Sequence, residues 1–142
     1  MHKFLFVFTV LFITGCATSP VPFSQSKNVD STQILAPELQ NPSEDRTEHV
    51  LIIRDAGLMG SIVDALIAID GKDSVILKPS QRFEFYLAPG NHMFTIKQVK
   101  NMLSEPDGET DIEIRPSGLN SFRLRLVSGD GPRIERSAQI LD

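Results

Sequence analysis

The chain of 142 residues has no tryptophan, one tyrosine and one cysteine. A single cysteine cannot form an intrachain disulfide, so a disulfide-stapled fold is excluded. The three histidines are far apart in the sequence, and none has the short spacing of a zinc-ligand pair, so no metal site is predicted. The composition is mildly acidic, with 18 Asp and Glu against 14 Lys and Arg and no basic run, which argues against nucleic acid as a partner.

The chain also lacks an N-terminal apolar run long enough to cross a bilayer as a helix. Residues 4–13 are apolar apart from one threonine, about half of the roughly twenty residues that a spanning helix needs. This run follows the short basic start Met1-His2-Lys3 and ends in small residues. These three features are typical of a secretory signal peptide.

The residues that end this segment, Ile13-Thr14-Gly15-Cys16, resemble the lipobox of a bacterial lipoprotein. The resemblance implies cleavage before Cys16, a covalent lipid on its sulfur and acylation of the freed amine, with no other cofactor. The alternative is an ordinary signal peptide or an N-terminal anchor helix with a chance cysteine. Multiple acyl chains anchor a protein stably, whereas one chain binds only marginally.

The residue after the cysteine is Ala17. In Gram-negative lipoproteins an aspartate at this position tends to retain the protein in the inner membrane. Ala17 therefore favours anchoring in the outer membrane, with the protein facing the periplasm.

Three parts of the chain differ in composition. We expect a signal peptide at residues 1–15, a lipidated N-terminus and disordered tether at residues 16–47, and one domain at residues 48–142. The tether is rich in Ser, Pro and Asn, and as a flexible coil it would span about 30 Å root-mean-square. We therefore expect the domain to fold without it.

One alternative for the tether is a short helical turn that docks on the domain, formed by Ile34, Leu35 and Leu39.

From His49 onward the apolar residues recur with period two, which is typical of β-strands. Turn sequences rich in Gly, Pro and Asp separate these segments, and they predict seven or eight strands in an all-β fold, a small antiparallel β-sandwich after a disordered linker. The expected strands lie near residues 50–53, 66–69, 75–77, 83–87, 94–96, 112–114, 122–126 and 134–141.

Two turn sequences give the most specific structural predictions. Asp70-Gly71-Lys72 predicts a tight hairpin. Pro89-Gly90 predicts a second turn in which Gly90 takes a positive φ, and we expect Phe85 and Leu87 to pair across it with Phe94 and Ile96, leaving His92 on the exposed side.

Three stretches resemble the PEGA domain and its relatives: Ala68-Ile69-Asp70-Gly71-Lys72, Leu77-Lys78-Pro79, and Phe85-Tyr86-Leu87-Ala88-Pro89-Gly90-Asn91-His92. The match covers residues 49–96, and Arg54 with residues 57–61 is similar to a group of uncharacterised small bacterial lipoproteins. The family pattern often has a glycine where this chain has Ser80-Gln81. The resemblance implies an extracytoplasmic β-sandwich that binds or scaffolds, with no catalytic residues.

Two groups of residues are candidate binding sites. Leu58 and Met59 would form an apolar loop tip that contacts a partner, or the loop simply joins two strands. Arg115, Arg123 and Arg125 would bind a small anion, or they form cross-strand ion pairs with glutamates.

The sequence therefore predicts a non-enzymatic, membrane-anchored envelope lipoprotein that binds another envelope protein. The alternative is a periplasmic lipoprotein that binds a glycan or a small anion. An enzyme is the least favoured class, and a histidine–carboxylate pair in a cleft would revive it.

Overall fold

The computed structural model describes residues 18–57, 63–99, 107–127 and 131–138. These ranges contain three short 3₁₀ helices, at Phe23–Gln25, Ser31–Gln33 and Pro37–Gln40. The strands are β1 (Lys27–Asn28), β2 (Glu48–Arg54), β3 (Asp64–Ile69), β4 (Lys72–Leu77), β5 (Gln81–Leu87), β6 (Gly90–Val99), β7 (Gly108–Ile114), β8 (Ser121–Val127) and β9 (Gly131–Arg136).

The strands form two packed sheets, which confirms the predicted all-β sandwich. Sheet 1 has the order β1-β5-β2-β8-β9, and sheet 2 has the order β4-β3-β6-β7. All pairs in sheet 2 are antiparallel. Sheet 1 also contains two parallel pairs, β2 with β8 and β1 with β5, which the alternating pattern did not predict.

The core lies between the sheets and follows the period-two pattern. On β5, for example, Phe83, Phe85 and Leu87 are buried, while the residues between them are partly exposed. The central strand β2 is buried on both faces. Val50 and Ile52 belong to the main core, whereas the side chains of Leu51 and Ile53 form a second apolar cluster with Val21.

Of the two predicted turns, the first is a hairpin as expected, and the second is not. Asp70 and Gly71 have φ values of 50° and 80° and join β3 to β4 in a hairpin, as predicted. Gly90 has the expected positive φ of 121°, but the turn is not a hairpin. The strand before it, β5, pairs with β1 and β2, whereas β6 pairs with β3 and β7.

The expected pairing of Phe85 and Leu87 with Phe94 and Ile96 is therefore wrong. The Pro-Gly turn carries the chain from one sheet to the other, and all four side chains lie in the core between the sheets. Turn chemistry marks a chain reversal, but it does not determine which strand becomes the hydrogen-bonded neighbour.

The expected disordered tether is wrong for the described residues that precede β2. Ser19 forms an isolated β-bridge with Ala56, and β1 pairs with β5. Val21 is 6% exposed and covers the outward side chains of β2. The segment is ordered because the apolar outer face of β2 must be removed from water.

The same segment protects the edge of sheet 2. The amides of Leu35 and Ala36 donate to the Ser74 carbonyl on β4 (2.9 and 3.1 Å), and Gln33 Nε2 donates to the Ile76 carbonyl (2.7 Å). Two 3₁₀ helices flank this contact, and Ile34 and Leu39 pack against the core, so the docking alternative is confirmed for these two residues. Leu35, by contrast, is 44% exposed.

Arg54 links the two sheets at the end of β2. Its side chain is buried, and Nη1 and Nη2 donate to the carbonyls of Leu77 (2.5 Å) and Val63 (2.6 Å), which lie at the ends of sheet 2 strands. Burial lowers the pKa of Arg54 to about 10, against a smaller opposing effect of Asp64, so the guanidinium stays charged at neutral pH.

The turn between β4 and β5 has a conformation that suits glycine. Ser80 occupies it with a positive φ of 61°. Its amide donates to the Arg54 carbonyl (3.1 Å), which places the turn beside the end of β2.

Candidate functional site

Several residues predicted from the sequence to be functional lie outside the described residues. They are Ile13, Thr14, Gly15 and Cys16 of the lipobox-like sequence and Leu58 and Met59, which follow β2 in the sequence. Their roles stay predictions.

The three candidate anion-binding arginines are not brought together. Arg115 follows β7 in sheet 2, whereas Arg123 and Arg125 lie on β8 in sheet 1. Each contacts a carboxylate: Arg123 binds the buried Asp55 through two bonds of 2.5 and 3.2 Å, Arg125 binds Glu135 at 2.5 Å, and Arg115 lies 3.6 Å from Glu113.

This arrangement agrees with the ion-pair alternative. Arg125 and Glu135 are a cross-strand pair between β8 and β9, and a paired guanidinium offers fewer donors to a free anion. The geometry therefore gives no three-arginine anion site.

A cleft of about 440 Å³ opens on the outer face of sheet 1, close to where β2 and β8 begin. Its volume falls in the range of ligand-binding clefts, about 300–1,000 Å³. It is lined by Phe23, Glu48, His49, Leu51, Glu84 and the residues from Ser117 to Ser121.

One wall of the cleft is acidic. Glu84 Oε2 lies 3.2 Å from His49 Nε2, and Glu84 Oε1 lies 3.4 Å from Arg82 Nε. Glu48 accepts a hydrogen bond from the Ser117 amide at 2.8 Å. Both carboxylates remain accessible to solvent, since the side chain of Glu84 is 39% exposed and Glu48 is partly exposed.

The other wall is apolar. Leu119 is 42% exposed, although it lies in a turn where polar residues are the rule. Phe23 and Leu51 line the same cleft, and the guanidinium of Arg82 lies over the Phe23 ring at 4.1 Å from its centroid. The cleft therefore offers an apolar contact beside negative charge.

Asn120 fixes the turn that carries Leu119. Its side chain is buried, and Oδ1 accepts from the Arg115 amide (2.9 Å) while Nδ2 donates to the Arg115 carbonyl (3.0 Å). Its carbonyl accepts from the Leu51 amide (3.0 Å), which ties the turn to β2. The exposed leucine is thus held on a rigid turn.

A second cavity of about 240 Å³ lies near the Asp70 turn and contains a histidine–carboxylate pair. His92 Nδ1 lies 2.7 Å from Asp70 Oδ2, and His92 Nε2 lies 2.9 Å from the Ala88 carbonyl oxygen. Both ring nitrogens therefore face oxygen acceptors of the protein, and neither directs a lone pair into the cavity. The side chain of His92 is only 13% exposed, so its expected exposed position is wrong.

A serine also lines this cavity, but its geometry does not fit a nucleophile. The hydroxyl of Ser74 donates to the Lys72 carbonyl (2.8 Å) rather than to His92. The cavity thus contains the histidine–carboxylate pair that would revive the enzyme alternative, but Ser74, the hydroxyl that lines it, does not contact the histidine.

Within residues 18–57, 63–99, 107–127 and 131–138, no group of three or more His, Cys, Asp or Glu side chains is arranged to hold a metal ion.

The helices in these same ranges are all too short and too polar to cross a membrane.

Sequence reasoning missed the cleft on sheet 1. Phe23, Glu84 and Leu119 come from three distant parts of the chain, and no spacing rule connects them. One signal was available: Leu119 is an apolar residue between Gly118 and Asn120, where a turn gives it little chance of burial.

No family model, no curated protein and no solved structure matches this chain.

Proposed function

We propose that the protein is a non-enzymatic envelope lipoprotein, anchored through Cys16 in the outer membrane and facing the periplasm, whose β-sandwich binds another protein. The lipobox-like sequence supports the anchor. The observation that carries the binding function is the exposed Leu119 on a rigid turn, beside two carboxylates in the cleft of sheet 1.

The cleft favours a partner segment of defined chemistry. An apolar side chain of the partner would pack on Leu119, Phe23 and Leu51, and burial of such a side chain contributes about 1.5–3 kcal/mol. A neighbouring Lys or Arg would pair with Glu84 or Glu48. Charge of this kind adds specificity and speeds association more than it adds affinity.

The alternative of a glycan or small-anion site has less support. The predicted arginines contact carboxylates and are divided between the two sheets. The enzyme alternative is likewise not favoured, because both nitrogens of His92 are already engaged.

The anchor is tested by replacing Cys16 with serine. Because a hydroxyl does not form the thioether, Cys16→Ser should lose metabolic labelling by a clickable palmitate and accumulate with its signal segment attached. Undiminished labelling of the variant would refute the anchor at this position.

The binding surface is tested by a photocrosslinking amino acid at position 119, with position 35 as the matched control. Leu119 and Leu35 are 42% and 44% exposed, but only Leu119 lines the cleft. Position 119 should give one discrete adduct in cells, and position 35 should give at least tenfold less. The adduct should also fall when Glu84→Lys reverses the charge beside it.

Equal adducts at positions 119 and 35 would show that crosslinking follows exposure alone, and would refute the cleft as the binding surface. An adduct at position 119 that Glu84→Lys leaves unchanged would refute the predicted basic character of the partner.

A further inference from the structure

The N-terminal segment is fixed to the sandwich at Ser19 and Val21. The Ser19 amide donates to the Ala56 carbonyl (2.8 Å), and the Ala56 amide donates back to the Ser19 carbonyl (3.1 Å). Two residues later Val21 is buried against Leu51 and Ile53. The chain therefore cannot move away from the end of β2 without breaking both contacts.

Only three residue steps separate Cys16 from Ser19. A fully extended chain advances at most about 3.3–3.6 Å per residue, so three steps of chain allow a lipid on Cys16 to lie no farther than about 10 Å from Ser19. This distance is about a third of the 30 Å that a free tether would span. A lipid on Cys16 would hold this end of the sandwich at the membrane surface.

Two lysines share this end of the sandwich, which we call the anchor end and define by Ser19, Lys27, Ala56, Lys78 and Ser80. The Lys27 amide donates to the Ser80 carbonyl (2.9 Å), and the Ser80 amide bonds to the Arg54 carbonyl beside Ala56. Lys27 and Lys78 are exposed, and neither forms an ion pair with the described part of the chain; the acidic Asp64, at the start of β3, lies at the same end. Ammonium groups near a bilayer are attracted by anionic headgroups.

We propose that the anchor end lies against lipid headgroups, so that the sandwich stands on the membrane in one fixed orientation. This inference rests on the proposed acylation of Cys16. It also places the cleft. β2 runs from Glu48 to Arg54 at the anchor end, a rise of about 20 Å over six residue steps, and the cleft lining extends to Leu51, about 10 Å from the anchor end. The cleft therefore opens to the side, on the outer face of sheet 1 and above the bilayer surface, where a partner can reach it.

The test compares fluorescent labels at the two ends of the sandwich. Acylation consumes the only native thiol, so Asn28→Cys and Ser117→Cys each present a single free thiol in the lipidated protein and keep both lysines. Position 28 is exposed and follows Lys27 at the anchor end, whereas position 117 is exposed beside the cleft, near the opposite end of β2. In vesicles of phosphatidylethanolamine and phosphatidylglycerol that carry a headgroup quencher, the label at position 28 should be quenched at least threefold more than the label at position 117.

A second variant tests whether the short connection between Cys16 and Ser19 is what fixes the orientation. Twelve Gly and Ser residues inserted between Ala17 and Thr18 leave the Ser19–Ala56 bridge intact but lengthen the connection to the lipid. The difference between the two labels should then largely disappear. Equal quenching without the insertion would overturn the proposed orientation, and a difference that the insertion leaves unchanged would overturn the short connection to the lipid as its cause.

Failure of the underlying anchor gives a different result. An unacylated protein would not float with the vesicles, and its Cys16 thiol would react with the label. Flotation with equal quenching at both positions therefore refutes the orientation alone.

Discussion

Arg54 brings a charge into the interior between the two sheets, and its value to the fold lies in the carbonyls that it satisfies. The Leu77 and Val63 carbonyls both accept from its guanidinium. A buried carbonyl that loses its donor costs about 1–3 kcal/mol. Arg54 therefore acts as a structural link between β2 and the ends of β3 and β4.

We expect Arg54→Met to lower the free energy of unfolding by about 2–4 kcal/mol, because methionine fills space but donates no hydrogen bond. Urea denaturation measures this loss. Arg125→Met is the matched control: Arg125 is partly exposed and pairs with Glu135, so its replacement should cost under about 1 kcal/mol. Equal losses in the two variants would mean that the carbonyl contacts of Arg54 contribute nothing specific.

Local conformation at single residues was predictable where the cause is local. The positive φ of Gly90 follows from the Pro-Gly pair itself. The partly buried position of His92 was not predictable, because its partner Asp70 lies 22 residues away and belongs to a different turn. A contact made by tertiary folding leaves no trace in the spacing of neighbouring residues.

At the scale of elements, the segment before β2 is part of the folded unit. We expect a fragment of residues 48–142 to be about 3–6 kcal/mol less stable than one of residues 18–142. The loss arises because Leu51 and Ile53 become exposed, and burial of each such side chain contributes about 1.5–3 kcal/mol. Thermal and urea melts of the two fragments, followed by circular dichroism, measure the difference.

Equal stability of the two fragments would contradict this prediction and restore the view of the segment as a passive tether. The control fragment begins at residue 18, so both fragments lack the lipidation site. Any difference between them then comes from residues 18–47 alone.

The strands were predictable from the sequence, but their partners were not. Alternation of Phe83, Phe85 and Leu87 with polar residues predicts β5 as a strand with one buried face. Nothing local indicates that β5 pairs with β2 rather than with β6. The sequence contained one sign that another segment covers the outer face of β2. Leu51 and Ile53 make this second face apolar, and an apolar face must be buried against another part of the protein.

At the scale of the whole molecule, the candidate cleft depends on the topology. Phe23 comes from the N-terminal segment, Glu84 from β5 and Leu119 from the turn before β8. The sequence predicted that the domain binds a partner, but it could not place these residues on one surface. These residues lie on one surface because β2 pairs in a fixed register with β5 on one side and with β8 on the other.

The parallel pairing of β2 with β8 has a consequence for the order in which the protein can fold. Positions 51 and 121 are hydrogen-bonded neighbours although they are 70 residues apart in the chain. Closing so long a loop costs entropy before any contact compensates for it, so folds rich in such pairings form slowly. During synthesis, the central strand of sheet 1 lacks one partner until most of the chain has emerged. The proposed periplasmic location would require this chain to be exported, and slow formation of the sheet would leave time for export to begin before a stable sheet exists.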